Sequence, residues 1–329
     1  MGAGFWAVWG MGMKEIRIAA ENAGQRLDKF LQKTLNTAPR GLIYKLLRKK
    51  RIKINGKRAG GNEILCPGDV LTLYLAEDTL AGLAECRAVP QAPQQFTVVY
   101  EDEGLLAVNK PAGVLSQPER AEERQSLIDQ IRYYLYRTGA YDPAGDFAPA
   151  LCNRLDRNTS GLVLAGKTYA ALREANTALA ERRLHKYYAA LAVGRVEAGR
   201  LAGYYRKDGA ANRAEILAEP APGAQPVAVA LSPRQEFVRE GRPFTLVEVE
   251  LLTGKSHQIR AQLAAAGHPL VGDPKYGDKT INQWFAARAG LRRQFLHAAR
   301  LVWPERGWEL LAPLPPELER VMVWIKEES

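Results

Sequence analysis

The chain has 329 residues, of which 47% are hydrophobic and 25% are charged, as in an ordinary globular protein. Its 46 lysines and arginines outnumber 36 acidic residues, which favours a polyanionic partner, either nucleic acid or an anionic membrane surface. A solvated basic surface is the common alternative, and charge alone does not decide between them. The three cysteines and four histidines lack the spacing of a disulfide framework or a metal site, so we predict neither.

The first predicted segment, residues 1–12, is apolar and uncharged. It is too short to cross a bilayer and lacks the basic start of a signal peptide. We interpret it as an extension upstream of Met13, in preference to an interfacial anchor, which would carry charge. No later stretch reaches the roughly 18 apolar residues of a transmembrane helix. We therefore predict no membrane span and a cytoplasmic location.

A small α/β module is predicted next, over residues 13–76. Two segments repeat apolar residues at helical spacing, and Pro39 suits the turn between them. Asn55 and Gly56 form a strong hairpin signal, because this pair tolerates the turn conformation that joins two short strands. The predicted elements are helices at 26–35 and 40–50, a hairpin at 52–58 and a strand at 70–75.

Basic residues concentrate within this module, and the stretch that contains them has no Asp or Glu. A helix end rich in Lys and Arg complements the helix dipole, but that explanation does not extend through the following hairpin. Like charges at this density repel one another unless an anion covers them, and RNA phosphates are the better explanation. The predicted RNA-binding residues are Arg40, Lys45, Arg48, Lys49, Lys50, Arg51, Lys53 and Lys57, and Arg58 completes the run.

A linker and a larger domain make up the rest of the chain. Residues 77–95 have little periodicity and contain Pro90 and Pro93, which indicates an interdomain linker. Residues 96–329 contain many strands, few helices and no strand–helix–strand alternation, so we predict an α+β domain on a mixed or antiparallel sheet. Its predicted helices are 123–139, 169–184 and 256–269, and its predicted strands lie within 96–110, 186–194, 214–219, 227–237 and 243–254.

The segment NRLDRNTSG places one carboxylate, Asp156, between Arg154 and Arg157. Positive charge nearby favours the ionised form of an acid, which suits a metal ligand, a general base or a nucleophile at a sugar carbon. No second carboxylate or histidine has supporting spacing, which argues against a metal site and against the paired acids of most glycosidases. A turn Asp that caps nearby backbone N–H groups is the structural alternative, and the local sequence by itself favours it.

Five segments of the chain resemble known families, in the same order. The module at 24–76, with RLDKFL, RIKINGK and PGDVLTLYL, is similar to the S4 RNA-binding domain. NRLDRNTSGLVLAGK resembles the HRLDxxTSG signature of the RluA family of RNA pseudouridine synthases. VYEDEGLLAVNKPAGVLSQP, HKYYAALAVG and LLTGKSHQIRAQLAAAGHPLVGDPKYG resemble further motifs of that family. The likeness covers most of residues 13–315, and the S4-bearing, RluC-like branch, which modifies large-subunit ribosomal RNA, looks nearest.

The resemblance implies a mixed sheet with a central cleft and the isomerisation of uridine to pseudouridine in RNA, without metal or cofactor. The N1–C1′ bond breaks, the uracil turns, and C5 bonds to C1′. By resemblance Asp156 is the catalytic carboxylate, which either attacks C1′ or removes a proton at C2′. Tyr188 stacks on the target base and accepts or relays the C5 proton, and Arg260 pairs with Asp156.

Other motif residues receive lesser roles from the same resemblance. Arg154 and Arg157 are expected to serve the loop and RNA phosphates, and His257 either contacts RNA or supports the site through a hydrogen bond. Asn153 stands where the family usually has His, which puts the loop geometry in doubt more than the activity. Turn residues expected to shape loops or contact phosphate are Lys110, Asp273 and Lys275.

Two other classes of function stay open at this point. An RNA-binding or ribosome-assembly protein that has lost catalysis would keep the basic module, although Asp156, Tyr188 and Arg260 together argue against it. An RNA-directed glycosylase that releases the base would use the same carboxylate. Release of free uracil would distinguish the glycosylase from an isomerase.

Overall fold

The computed structural model describes residues 12–83, 89–119, 125–145, 147–208 and 213–327. Apart from Gly12, the predicted N-terminal extension lies outside the described residues. The chain divides into two compact units, and the predicted domain boundaries at 76 and 95 stay predictions. The first unit comprises Met1–Gln91, Ile131–Ala150 and Gly166–Glu174, and the second comprises Ala92–Gln130, Leu151–Ala165 and Ala175–Ser329.

The first unit contains an antiparallel sheet and helices that share one apolar core. Leu27, Phe30 and Leu31 recur at helical spacing and are fully buried, as the sequence pattern predicts. In the described residues the strand order is β1-β4-β2-β3. The strands are β1 (Lys14–Arg17), β2 (Ile52–Ile54), β3 (Lys57–Arg58) and β4 (Val70–Leu73), and the helices are α1 (Leu27–Thr34), α2 (Arg40–Arg48) and α3 (Glu77–Leu83).

The predicted hairpin is present between β2 and β3. Asn55 and Gly56 have φ angles of 49° and 74°, so both lie in the left-handed region that a two-residue hairpin turn of this type requires. The side chain of Asn55 also accepts a hydrogen bond from the N–H of Val70 at 2.8 Å. This contact ties the turn to the start of β4.

The first part of the predicted linker is helical rather than irregular. Leu80 is buried and Leu83 is partly buried, and both pack against the apolar core of the first unit. These two leucines are three residues apart and therefore share one face of α3. Residues 84–88 lie outside the described residues.

The second unit is built on a large mixed sheet. Within the described residues, eleven strands form it in the order β11-β10-β12-β13-β9-β14-β8-β6-β5, with β15 beside β14 and β7 beside β8. The pair of β14 with β8 is parallel, with His297 opposite Ser160, whereas β14 pairs with β9 and with β15 in antiparallel register. The pairs along the path from β11 to β9 are also antiparallel. The predicted α+β class with a mixed sheet is confirmed. The strands are β5 (Thr97–Glu101), β6 (Leu105–Lys110), β7 (Ala150–Leu151), β8 (Ser160–Gly166), β9 (His185–Val193), β10 (Gly199–Asp208), β11 (Arg213–Leu217), β12 (Gln225–Arg239), β13 (Arg242–Leu251), β14 (Leu296–Trp303) and β15 (Trp308–Leu311).

Five further helices complete the described chain. The helix predicted at 256–269 is shorter than expected, and Gly267 lies just beyond it with φ of 83°, as a C′ glycine does. The sequence analysis missed β10, β14, β15, α7 and α8. None of the described helices is both long and apolar enough to cross a membrane. The helices are α4 (Leu127–Arg137), α5 (Tyr169–Ala180), α6 (Gln258–Ala265), α7 (Lys279–Ala289) and α8 (Pro316–Lys326).

Candidate active site

Asp156 lies in a tight turn immediately before β8. Its carbonyl accepts a hydrogen bond from the N–H of Thr159 at 3.0 Å, which closes the turn. Asn153 anchors the same loop, because its Oδ1 accepts from the N–H of Leu164 at 2.8 Å and its Nδ2 donates to the carbonyl of Leu162 at 3.3 Å. An amide can make this pair of contacts without titrating. The departure from the family's usual His therefore leaves the loop well anchored.

The cation beside Asp156 is Arg260 from α6. Arg260 Nη1 donates to Asp156 Oδ2 at 2.9 Å, and the Arg260 side chain is 6% exposed while the Asp156 side chain is 21% exposed. The carboxylate therefore reaches solvent while its cation is buried behind it. Such a charge-assisted hydrogen bond orients the carboxylate.

The flanking arginines do not supply that charge, which corrects the local interpretation of the sequence. Both side chains are exposed and turn to the neighbouring loop. Arg154 Nη1 donates to Gln117 Oε1 at 3.4 Å, and Arg157 Nε donates to the carbonyl of Gly113 at 3.1 Å. Their exposure is compatible with the predicted contact to RNA phosphates.

Asp273 holds Arg260 from the other side. Arg260 Nε and Nη2 donate to Asp273 Oδ2 and Oδ1 at 2.7 and 2.9 Å, a bidentate pair, and Asp273 is fully buried. Asp273 Oδ1 also accepts from the N–H groups of Lys275 and Tyr276. Burial would raise the pKa of Asp273, but the hydrogen bonds and charge of Arg260 outweigh it and lower that pKa below its usual value. The sequence analysis expected Asp273 to shape a loop or contact phosphate, and it missed the role of this buried residue as the anchor of Arg260.

His257 lies near Asp156 on the same side as Arg260, and its backbone conformation is unusual. His257 is the N-cap of α6, with a left-handed φ of 57°, so it lies just outside the helix that carries Arg260. Its Nε2 lies 4.0 Å from Asp156 Oδ2. Both side chains nevertheless point toward the carboxylate, because the left-handed residue redirects the chain just before the helix.

A hydrogen-bond chain reaches His257 through Tyr276. Tyr276 Oη accepts from the N–H of Ala214 at 2.7 Å and lies 3.1 Å from His257 Nδ1. When the Tyr276 hydroxyl donates to Nδ1 of the neutral ring, the ring proton lies on Nε2, the atom nearest Asp156. Burial lowers the pKa of His257 in spite of the charge of Asp156, which favours this neutral form.

Tyr188 and Tyr187 point to opposite faces of β9, as strand alternation requires. Tyr188 is 5% exposed, and its pKa is raised by burial and by the negative charge of Asp156. On the other face, the Tyr187 ring lies 3.9 Å from the guanidinium carbon of Arg300. Tyr205 on β10, which the sequence analysis did not single out, also has a pKa raised by burial and then by Asp156. Two aromatic rings therefore lie within the electric field of the carboxylate.

Lys110 stabilises the loop that carries Asp156. It is fully buried, and its Nζ donates to the carbonyls of Pro111, Val114 and Arg157 at 2.9, 2.8 and 3.2 Å. Burial and the charge of Arg293 lower the pKa of Lys110 to about 7, although three carbonyl acceptors favour the ammonium form. Of the two roles predicted for Lys110, burial fits loop-shaping and excludes direct contact with an RNA phosphate.

The predicted RNA-binding run of the first unit forms a solvent-accessible basic surface. Eight of its nine residues are exposed, and Lys53 is half-buried with its Nζ 4.9 Å from the centre of the Tyr74 ring. The exposed members are Arg40, Lys45, Arg48, Lys49, Lys50, Arg51, Lys57 and Arg58. Among the described residues, no group of three or more His, Cys, Asp or Glu side chains is arranged to hold a metal ion.

Known proteins match both units. A family model described as RNA pseudouridylate synthase matches residues 104–265, and an S4 domain model matches residues 25–71. The ribosomal large subunit pseudouridine synthase C of Vibrio vulnificus is 32% identical over 326 residues, which cover 94% of this chain and 98% of that protein. The protein of the same name from Salmonella typhi is 30% identical over 337 residues, covering 96% and 98%.

Solved structures show the same fold. The human RNA pseudouridylate synthase domain containing 1 matches with a TM-score of 0.53 and 28% identity, over 69% of this chain and 86% of that one. The human RNA pseudouridylate synthase domain containing 4 matches with a TM-score of 0.55 over 69% and 92%, and at 21% identity this likeness supports the fold alone.

A mixed sheet that carries a partly accessible carboxylate beside a buried arginine, in a chain that also matches the S4 domain, indicates an enzyme that modifies RNA. The chain belongs to the RNA pseudouridylate synthase family. It is an RNA pseudouridine synthase, which isomerises uridine to pseudouridine in RNA, and the S4 domain identifies RNA as its macromolecular partner.

Proposed function

We propose that this enzyme converts specific uridines of large-subunit ribosomal RNA to pseudouridine, that it acts in the cytoplasm, and that Asp156 is its catalytic carboxylate. The names of the Vibrio vulnificus and Salmonella typhi relatives support the choice of RNA. The observation that carries the assignment of Asp156 is its ion pair with Arg260, whose other donors are bound to Asp273. This arrangement presents one ionised, partly accessible carboxylate that is held in a fixed position by Arg260.

The chemistry requires that the carboxylate keep its charge near the sugar. Attack on C1′ and removal of the C2′ proton both begin with an ionised Asp156. Arg260 is suited to hold that charge because its guanidinium is itself fixed by Asp273 and cannot turn away. The site needs no metal or cofactor for this step, because the bond that breaks at N1 is replaced by one at C5.

Tyr188 is proposed as the surface on which the uracil stacks. Its raised pKa keeps the hydroxyl protonated at neutral pH, so it can donate a hydrogen bond and relay a proton. In this proposal the C5 proton passes to solvent through the hydroxyl, which gives its own proton to water as it accepts the one from C5. His257 supports the carboxylate through its Nε2–H, and Arg154 and Arg157 contact the RNA backbone from the exposed side of the loop.

The experiment that tests the ribosomal substrate is a map of pseudouridines in ribosomal RNA with and without the gene. After carbodiimide labelling, reverse transcription stops at each pseudouridine. One or more stops in the large-subunit RNA should vanish in the deletion strain and return with the wild-type gene. Identical maps in the two strains would contradict a ribosomal substrate, while activity on other RNA would leave the enzyme class intact.

The basic surface should contribute charge rather than chemistry. The triple change Arg48→Gln, Lys49→Gln and Arg51→Gln removes three exposed charges from the run. Each lost phosphate contact should reduce the slope of log affinity against log salt by roughly 0.7 to 0.9. We expect weaker RNA binding at moderate salt and a turnover number at saturating RNA within about twofold of wild type, because the substitutions lie outside the catalytic loop. Titration at several salt concentrations measures the slope.

A matched control is the triple change Arg17→Gln, Lys29→Gln and Lys326→Gln, which removes the same net charge from exposed positions outside the run. It should alter the salt slope much less. Equal slopes for the two triple variants would mean that general charge, and not the basic run, attracts the RNA.

The target uridine should be turned out of its helix before reaction. C1′ and C5 of a stacked, paired uridine are not accessible to a carboxylate fixed in a loop, and extrusion costs a few kcal/mol, least in loops and bulges. We expect fast modification of a uridine in a loop and strongly reduced turnover when the same uridine is locked in a long perfect duplex. Binding should change less, because phosphate contacts persist. Equal turnover on the two RNAs would remove the argument for stacking on Tyr188.

A further inference from the structure

A cavity opens at the edge of the sheet where β9 begins. Its volume is about 530 Å³, and it is enclosed by the end of α5, the start of β9, the start of β12 and the loop that follows β13. Cavities of this size accommodate small organic ligands rather than single ions. The mechanism proposed above assigns no role to it. Its lining combines apolar residues, among them Leu179, Leu184 and Leu251, with charged residues.

Lys186 is the least satisfied charged group in this lining. Burial lowers the pKa of Lys186, and no charged neighbour compensates for that effect. Among the residues that the structure describes, none forms a hydrogen bond or an ion pair with its Nζ. The nearest feature is the turn at Gly254, where an added Cβ would lie 3.8 Å from Nζ. A half-buried amine without an internal partner can be reached by an external anion, which would compensate its charge.

Two more cations lie around the same cavity. Arg182 is exposed, and Lys255 donates from Nζ to the side chain of Gln225 across the opening. The one carboxylate in the lining, Glu250, is already engaged with His185 at 2.8 Å. Three cations against one paired carboxylate give the cavity a positive character that suits an anionic ligand.

The position of Lys186 connects the cavity to the catalytic centre. Lys186 precedes Tyr188 by two residues on β9, so the two side chains leave the same face of the strand. Two strand residues span about 6.6 Å, which is comparable to the step between neighbouring nucleotides in an extended strand. A strand that delivers its uridine to Tyr188 therefore brings an adjacent nucleotide to Lys186.

We propose that this cavity binds the RNA nucleotide next to the target uridine, with its phosphodiester on Lys186 and its base against the apolar lining. The inference rests on the proposed function, because it takes the uridine to stand against Tyr188. It explains why a charged amine is kept inside a partly apolar cavity. The site would hold the strand on one side of the extruded base, and it would do so through backbone charge rather than through base identity.

The first test is Lys186→Met, which keeps the length of the side chain and removes its charge. We expect binding of a stem-loop RNA with a loop uridine to weaken about tenfold, and the salt slope to fall by roughly 0.7, the value for one single-strand phosphate contact. The thermal midpoint of the free protein should stay the same or rise, because an uncompensated buried charge is removed. Lys279→Met is the matched control, since Lys279 is exposed at the start of α7, and it should bind RNA as the wild type does.

The second test locates the phosphate. Each phosphodiester near the target uridine is replaced in turn by a neutral methylphosphonate. One replacement should weaken binding to the wild type but leave binding to Lys186→Met unchanged, because the same contact cannot be lost twice. If Lys186→Met does not fold, Lys255→Gln serves instead, because Lys255 is exposed at the opening, and it should show a smaller loss at the same linkage.

The proposed nucleotide site would be overturned if every methylphosphonate weakened binding to Lys186→Met as much as it weakens binding to the wild type. It would also be overturned if Lys186→Met had the affinity and the salt slope of the wild type. Such a result would leave the proposed function standing, provided that the wild type still forms pseudouridine in the same stem-loop. Absence of pseudouridine with the wild type on every RNA would instead contradict the proposed function itself.

Discussion

Asp156→Asn should abolish pseudouridine formation while the protein stays folded. The amide keeps the shape of the side chain and can still accept a hydrogen bond from Arg260 Nη1, so the substitution removes charge and little else. Because either route at the sugar needs an ionised carboxylate, we expect turnover to fall by more than about a thousandfold. Release of tritium from RNA labelled at uracil C5 measures the reaction directly.

The matched control for this variant is Asp278→Asn. Asp278 is the N-cap of α7, where its side chain accepts from the N–H of Ile281, and Asn caps helices about as well as Asp does. Its activity should stay within about twofold of wild type, since a cap-preserving change lies outside the reacting groups. Turnover by Asp156→Asn within tenfold of wild type would rule out Asp156 as the catalytic carboxylate.

Asp273→Ala should cost more stability than any surface change in this enzyme. Removing Asp273 leaves Arg260 with Asp156 as its remaining carboxylate and leaves Nε and Nη2 buried without an acceptor, and breaking such a buried pair costs about 3–5 kcal/mol in the free energy of unfolding. Arg260 would also lose the partner that orients it toward Asp156, so activity should fall even at temperatures where the variant is folded. Denaturant titration measures the first effect, and tritium release measures the second.

Asp278→Ala controls for loss of an Asp side chain in the same region of the chain. It deletes only a helix cap at a solvent-accessible site and should cost about 1 kcal/mol. A cost for Asp273→Ala no larger than that of the control would mean that solvent reaches Arg260 and satisfies it. Unchanged turnover in folded Asp273→Ala would mean that Asp156 does not depend on the orientation of Arg260.

The pH dependence of the same variant has a definite sign. Arg260 lowers the pKa of Asp273 below the ordinary 3.8, so the folded protein holds this carboxylate in its charged form more readily than the unfolded chain does. The stabilisation is fully present above the unfolded value and disappears as pH falls through the lowered folded value. The difference in stability between wild type and Asp273→Ala should therefore be constant near neutral pH and shrink only below about pH 4.

The site explains how one carboxylate can serve without a second acid. In this enzyme the charge of Asp156 is stabilised by Arg260, and the charge of Arg260 is stabilised in turn by Asp273. The inner pair is buried and the outer carboxylate is partly open, so the substrate meets an acid that has already been oriented. Preorganisation of this kind avoids reorganisation when the sugar carbon reacts.

Several features of the protein could be predicted from neighbouring residues alone. The Asn55-Gly56 turn follows from the left-handed conformation that this pair tolerates, and α1 follows from apolar spacing at Leu27, Phe30 and Leu31. Strand alternation likewise requires that the neighbouring residues Tyr187 and Tyr188 point to opposite faces. These are local effects, since each depends on backbone preference or on side chains within one or two turns of the chain.

The sequence analysis predicted no helix or strand after α6. In α8, Leu318, Val321, Met322 and Ile325 have helical spacing after a first-turn proline, and this signal could have identified the helix. The apolar run of β14 was harder to assign, because a short buried strand and a buried helix segment look alike in sequence. Its role between β9 and β8 depends on partners far away in the chain.

The sequence by itself determined the basic run, the turn around Asp156, the α+β class and, through its ordered motifs, the resemblance to RNA pseudouridine synthases. Only the tertiary structure decided which cation serves the carboxylate. Arg154 and Arg157 are its sequence neighbours, yet the contact comes from Arg260, which is 104 residues away. The turn directs the side chains of Arg154 and Arg157 outward, whereas the tertiary fold brings α6 next to the loop that carries Asp156. Arg260 is an effective partner because it is buried there and is held by Asp273.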